Sequence, residues 1–271
     1  MSVNDNLGTR MKTYYEEVPK FRLYRRIPVA IRIDGKAFHT FTRGFRKPFD
    51  EILIKSMQQT MLYLCENIQG CVLGYTQSDE ITLILQDYKT LTTDAWFDYE
   101  VQKICSISAS MATMAFNKYF DSEVRKWAYE NQSNTNINDL RNTYYNAILK
   151  GAMFDARCFN IPKEEVTNLL YWRQLDAARN SVQMVGQAYF SHKELQNKSC
   201  NDIQDMLMEK YNINWNDFPT TQKRGSCCIK NIDLDEYGNN WGSGWRIDNE
   251  IPQFKGEGRE YIEKLINFEE E

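Results

Sequence analysis

Residues Val29–His39 read VAIRIDGKAFH. Val29, Ile31 and Ile33 alternate with Ala30 and Arg32, the period-two pattern of a half-buried strand. The strand ends on Asp34, a carboxylate placed where the chain leaves the sheet. Gly35 follows, a residue that lets backbone turn tightly and approach a ligand closely. Lys36, Ala37, Phe38 and His39 then form a short segment whose amides can face an anion. One strand end therefore offers a metal-seeking carboxylate and, just past it, a phosphate cradle. Asp-Gly after a strand is also a common turn signal, so the surrounding chain has to decide.

Downstream, TFTRGFRKPFD (40–50) is a loop with Arg43, Arg46 and Lys47 close together, and Asp50 is placed to N-cap a helix over 51–69. Ile54, Met57, Met61, Leu64, Cys65 and Ile68 give that helix one apolar face, and Gly70 stops it. Cys71–Tyr75 and Ile81–Leu85 read as a β-hairpin with Ser78, Asp79 and Glu80 at or near its tip. Trp96–Phe120 is helical by its three-and-four spacing, and Met153–Asn160 alternates as a fourth strand. The order strand, helix, hairpin, helix, strand is β-α-β-β-α-β. The fold class is therefore α+β, a ferredoxin-like palm: an antiparallel sheet with helices on one face and extra C-terminal helices.

In that topology Asp34 and Asp79 meet on the open face of the sheet. Two such carboxylates can hold a pair of Mg²⁺ ions about 3.5–4 Å apart, with the Gly35 carbonyl as a further ligand, since Mg²⁺ binds through a few carboxylates and substrate phosphates. Lys47, Arg43 and the amides of 35–39 would neutralise a triphosphate. Phosphoryl transfer needs positioning and charge cancellation more than covalent side-chain chemistry.

Upstream, residues 5–16 read as a short amphipathic helix, and Lys20, Arg22, Arg25 and Arg26 cluster among aromatics just before the key strand. Residues 121–142 are polar and Asn-rich and read as an inserted surface loop. A long helix runs from Glu164 to about Phe190, Ser191–Glu194 fits a capping box, a further helix spans 201–210, and Ser226–Ile229 is a last strand. Residues 1–235 form the catalytic domain, and 236–271 an acidic, partly ordered tail.

The 271 residues suffice for one large domain or two small ones. With 42% hydrophobic and 26% charged residues, the composition is that of an ordinary globular protein. The net charge of −4 leaves any nucleic-acid contact to local basic patches. No apolar run approaches a membrane span, and the N-terminus lacks a signal-peptide pattern, so a cytoplasmic location is expected. Seven cysteines without a CxxC read as reduced thiols. Two histidines give little material for a zinc site or a Ser-His-Asp mechanism, which leaves the chemistry to carboxylates.

The blocks RIDGKAFHTFTRGF and KPFD (32–50), GYTQSDEITLIL (74–85), FDARCF (154–159), YWRQLDAARN (171–180) and KRG (223–225) resemble the tRNA-histidine guanylyltransferase superfamily, in the right order over roughly residues 5–230. That resemblance implies a polymerase-type palm that adds nucleotides 3′-to-5′ at the 5′ end of tRNA, with ATP and GTP or another NTP as substrates, and a homotetramer. It implies Asp34, Gly35 and Asp79 as metal ligands with Glu80 beside them. Residues 34–39, Lys47 and Ser78 become the triphosphate site. Arg32, Arg43, Lys103, Arg157, Asn180, Lys223 and Arg224 become candidates for RNA or phosphate contact. One departure matters. Eukaryotic guanylyltransferases continue the WRQxD block into His-Ile-Asn-Asn-Leu-Tyr-Asn, whereas this chain reads Ala178-Arg179-Asn180-Ser181-Val182-Gln183-Met184. This points to the guanylyltransferase-like branch, template-dependent repair polymerases of 5′-truncated tRNA. The alternatives are a tRNA-histidine-specific enzyme, a palm-type nucleotidyl cyclase, and a non-catalytic RNA-binding sheet.

Overall fold

The computed structural model describes residues 6–234 and 240–266. The strands are β1 (Val29–Gly35), β2 (Cys71–Gln77), β3 (Glu80–Leu85), β4 (Phe154–Asn160), β5 (Ser226–Leu234) and β6 (Asn240–Asp248). The helices in the first half are α1 (Asn6–Met11), α2 (Phe38–Phe41), α3 (Glu51–Asn67), α4 (Val101–Glu130) and α5 (Asn138–Lys150). Those in the second are α6 (Val166–Tyr189), α7 (His192–Leu195), α8 (Cys200–Tyr211), α9 (Thr220–Arg224) and α10 (Glu260–Ile266). All strand pairs are antiparallel, in the order β4-β1-β3-β2-β5-β6. The first four strands and α3 and α4 are the expected β-α-β-β-α-β unit, with β1 between β3 and β4.

The pleat explains the burial. Val29, Ile31 and Ile33 of β1 and Ile81, Leu83 and Leu85 of β3 project to one face, where Met57, Met61 and Leu64 of α3 and Ile104, Ala112 and Phe116 of α4 cover them. Asp50 caps α3 as expected, accepting from Leu53 N at 3.0 Å. The second face is not open. Ala30, Leu73, Tyr75, Ile84, Cys227 and Ile229 are covered by Val166 and Leu170 of α6 and by Ile251, Phe254, Ile262 and Ile266. The expected acidic tail is thus largely integral to the fold: 240–248 is the sixth strand and α10 closes the second core. Its acidic composition hides four apolar positions that fill one gap. Residues 236–239 and 267–271 of that tail lie outside the described residues.

The Asn-rich stretch is also corrected. The helix expected over 96–120 starts at Val101 and runs to Glu130, because Phe116, Phe120, Val124 and Trp127 keep one buried stripe. After a turn, α5 returns along it, with Trp127 edge-on to Tyr144 at 5.1 Å. The expected N-terminal helix is present over α1, followed by a π-helical turn (Lys12–Glu16), and neither buries a residue. The capping box at Ser191 and Glu194 is formed. No helix among the described residues is long and apolar enough to cross a membrane.

Candidate active site

Asp34 closes β1, paired with Glu80 on one side and Asp155 on the other. β2 and β3 are joined by Ser78 and Asp79 alone, and Ser78 takes a left-handed φ of 51°. The N–H of Gly35 donates to the carbonyl of Asp79 at 3.1 Å, which locks the end of β1 to the hairpin turn. The two expected carboxylates are therefore neighbours. The Ser78 hydroxyl donates to Asp79 Oδ1 at 2.9 Å.

Burial, with the negative charges of Glu80 and Asp155, holds the Asp34 carboxyl above the usual range. Burial also raises Asp79; the Ser78 hydroxyl lowers it, and Asp34 and Glu80 push it up again. Neither makes an ion pair among the described residues. Two half-buried carboxylates that repel each other, with oxygen donors and no ion-paired cation among the described residues, fit a hard divalent cation such as Mg²⁺. The described residues form no group of three or more His, Cys, Asp or Glu suited to a metal, so substrate oxygens would complete the coordination, as Mg²⁺ sites commonly allow.

Gly35 has a reason other than backbone freedom. A Cβ there would lie 2.2 Å from the Phe38 ring. Phe38 is itself wedged against Phe41, Phe116 and Phe154 at 5.1–5.5 Å, each such pair contributing about 0.5–1.5 kcal/mol beyond its buried area. Ala37 then turns the chain with a left-handed φ of 53° into α2, a conformation that costs of order 1–3 kcal/mol in a non-glycine residue. The expected amide cradle narrows. Gly35 N is used by Asp79, and Lys36 N donates to the Met153 carbonyl at 2.8 Å. Of residues 35–39, the amides of Ala37, Phe38 and His39 are left without a backbone partner, as befits a first helical turn.

These elements wall a concavity of about 610 Å³ lined by Asp34, Gly35, Ala37, Phe38, His39, Lys47, Ser78 and Asp79, with Thr42, Arg46 and, from α6, Met184 and Gln187. Asp50 shapes its rim, accepting from Arg46 N at 3.0 Å and from the Tyr144 hydroxyl at 2.6 Å. A smaller recess of about 70 Å³ adjoins it through Ser78 and Met184, and Asn180 and Lys223 line it. Lys223 donates to the Asn216 carbonyl; burial and the adjacent Arg224 hold its pKa down. The Nε of Arg224 is buried and unpartnered.

Other expected residues are placed elsewhere. Glu80 lies beside Asp34 in register, yet its carboxylate is taken by a bidentate bond from Arg173 (2.7 and 2.8 Å) and by Arg32 (2.9 Å). Glu80 and Arg173 are buried, so Glu80 and Arg32 belong to an ion-pair network beside Asp34 and do not line the concavity. Lys103 belongs to the start of α4, beside Cys105, whose thiol meets Cys158 near the far end of β4; it sits over Phe97 and away from Asp34. Lys36 and Arg43 do not line the concavity. Arg157 is exposed next to Asp155, 3.4 Å away. Sequence reasoning missed Thr42, Met184, Gln187 and Asp155 as part of this region. Only Asp155 left a signal, an acidic residue two before Arg157 on a strand that pairs with β1.

The Thg1 family model, described as tRNAHis guanylyltransferase, matches residues 8–162. The tRNA(His) guanylyltransferase of Saccharomyces cerevisiae is 27% identical over 213 residues, 73% of this chain and 80% of that protein. A bacterial tRNA(His) guanylyltransferase (Thg1)-like protein solved in complex with ATP is 41% identical, covers 96% of this chain and 98% of its own, and superposes with a TM-score of 0.77. A bacterial Thg1-like protein in complex with GTP is 38% identical, with a TM-score of 0.76, over 97% of this chain and 100% of its own.

Proposed function

Because the chain belongs to the Thg1 family of tRNA(His) guanylyltransferases, we propose that it is a nucleotidyltransferase extending the 5′ end of truncated tRNA in the 3′-to-5′ direction, each nucleotide chosen by pairing with the opposite strand. The observation that carries the reading is the shared wall of Asp34 and Asp79 in a concavity large enough for a nucleoside triphosphate. ATP and GTP in the two bacterial relatives support an activating and an added nucleotide. The Ala178–Met184 segment, which lacks the histidine run of the eukaryotic enzymes, favours repair over a role confined to tRNA-histidine.

Asp34, Asp79 and the Gly35 carbonyl would hold Mg²⁺, which when bound neutralises phosphate charge and lowers the pKa of an attacking oxygen. Lys47 and the amides of Ala37–His39 take the triphosphate, and Ser78 holds Asp79. In the first step the RNA 5′-phosphate attacks the α-phosphorus of ATP, releasing pyrophosphate and leaving a 5′-adenylylated end. In the second, the 3′-hydroxyl of the incoming triphosphate attacks that end, AMP leaves, and the hydroxyl proton is lost to solvent. Lys223 and Arg224 steady the RNA or triphosphate from the adjoining recess. The exposed Tyr14, Tyr15, Val18 and Phe21 near the N-terminus are available for self-association, and the homotetramer is what the family resemblance implies.

The test is extension of a tRNA lacking its first nucleotide, with Mg²⁺, ATP and each labelled NTP in turn. Addition only of the nucleotide complementary to the opposite base is expected. Addition of G regardless of that base returns the protein to a tRNA-histidine role. Cyclisation of NTP without RNA overturns the reading.

A further inference from the structure

Two residues before Asp34 on the same face of β1 stands Arg32, and over Arg32 lies Trp172 of α6. The Arg32 and Arg173 guanidinium groups are 5.4 and 4.5 Å from the centre of the indole ring. Both donate to Glu80 Oε2, which is buried, so the two cations support the ring from the protein side and are themselves tied down. Trp172 is nevertheless 53% exposed, and Leu175, three residues on along the same helix, is 51% exposed. An exposed aromatic is ordinary in itself. This one is held at a fixed angle on a polar bed, along the strand that delivers Asp34, and it is outside the concavity that fits a triphosphate.

Arg32 and Arg173 are the cations at the ring; Arg157 on the neighbouring strand and Arg179 further along α6 are the next cations, and Asp34, Glu80, Asp155 and Asp176 the carboxylates of the same elements. Arg173 and Arg179 both pair with Asp176, Arg157 pairs with Asp155, and Arg32 and Arg173 pair with Glu80. Four charges of each sign leave the patch close to neutral, so phosphate attraction is not what it offers. It offers a flat, preorganised π-face. RNA bases at exposed ends and loops stack on such faces.

We propose that Trp172 is the stacking platform for the 5′-terminal base of the RNA acceptor, seating that end beside Asp34 and Asp79. The assignment rests on the reading of the chain as a 5′-end nucleotidyltransferase. Beyond Trp172, α6 carries Asn180, Met184 and Gln187, which line the two recesses, so one helix spans from the platform to the nucleotide.

The experiment uses the full chain and an acceptor-stem RNA duplex with 2-aminopurine at its 5′ end. Wild-type protein quenches the fluorophore on binding, Trp172→Ala loses the quenching, and Trp172→Phe keeps most of it. In the extension assay Trp172→Ala raises KM for RNA by about 5- to 150-fold, the range of one base–aromatic stack, while ATP binding measured alone is unchanged. The salt dependence of RNA affinity keeps its slope, because no charge is removed. Wild-type values of KM and quenching in Trp172→Ala overturn the platform, and so does a Trp172→Phe variant as impaired as Trp172→Ala. A wild-type protein that quenches without adding nucleotides supports the platform and sinks the 5′-end addition reading. One that does neither sinks both.

Discussion

The amide of Gly35 donates to the carbonyl of Asp79 at 3.1 Å, so the two turns that bear the acidic residues are one rigid unit. Asp34 and Asp79 face each other there with raised pKa values. Below the pKa of the unfolded chain, both states are protonated and the pair costs nothing. As pH rises, the unfolded chain ionises first, and stability falls until the folded values are passed. The charged pair therefore weighs against the metal-free fold on the alkaline side of that window. Asp34→Asn or Asp79→Asn should therefore abolish nucleotide addition while raising the metal-free Tm by roughly 1–3 °C. Mg²⁺ should raise the wild-type Tm by mass action and leave that of either variant nearly unchanged. Thermal scans with and without Mg²⁺, beside the extension assay, check this; full activity in either variant sinks the metal assignment.

Arg173→Met should be far more damaging than its distance from the nucleotide suggests. It leaves the buried Glu80 with Arg32 alone, and breaking one side of a buried pair costs about 3–5 kcal/mol. Glu80→Gln keeps Asp176 as a partner for Arg173 and should cost less, about 1–3 kcal/mol. Urea denaturation of the two variants gives the comparison. Equal losses would show that Glu80 is not the group Arg173 stabilises.

That pair also marks how far the residues alone could be read. Alternation in Val29–Asp34 and Ile81–Leu85 locates β1 and β3, and with them the strand end at Asp34 and the turn at Asp79, because the pleat imposes a period of two on any sheet with a buried face. Glu80 stands next to Asp79 in sequence and looked catalytic for that reason. Its partner Arg173 is 93 residues away on α6, a relation no local pattern carries. Lys103 is a similar case: helical spacing gives its face on α4 but not which end of the sheet it reaches. The stretch from 131 to 150 and the segment beyond β5 are hidden by polar composition, since Tyr144 and Ala147, or Ile251 and Phe254, are too few to form a periodic signal before their partners are known.

Gly35→Ala should disturb the site through packing. The new methyl would sit 2.2 Å from a Phe38 ring already held by three other rings, so Phe38 can yield only by moving Ala37 and α2. Overpacking of this kind costs about 1–3 kcal/mol, and triphosphate affinity should fall with it. Lys36→Ala, which does not line the concavity, is the control. A calorimetric titration with ATP, alongside Tm, separates the two; unchanged ATP affinity in Gly35→Ala would remove the 37–39 amides from the nucleotide site.

Lys223 offers the contrasting electrostatic case. It lines the recess that adjoins the nucleotide concavity, beside Asn180, and its charged form is disfavoured by burial and by Arg224. A lysine kept under that strain next to a second cation gains from an anion. If the anion is a phosphate of RNA, Lys223→Ala should weaken binding uniformly across sequences and make the slope of log affinity against log salt shallower by about one. Trp172→Ala, by comparison, should shift the same plot without tilting it. Titrations of one RNA duplex between low and moderate salt distinguish the two variants. An unchanged slope in Lys223→Ala would reduce Lys223 to its bond with the Asn216 carbonyl, a tie that holds the approach to α9 and touches no substrate.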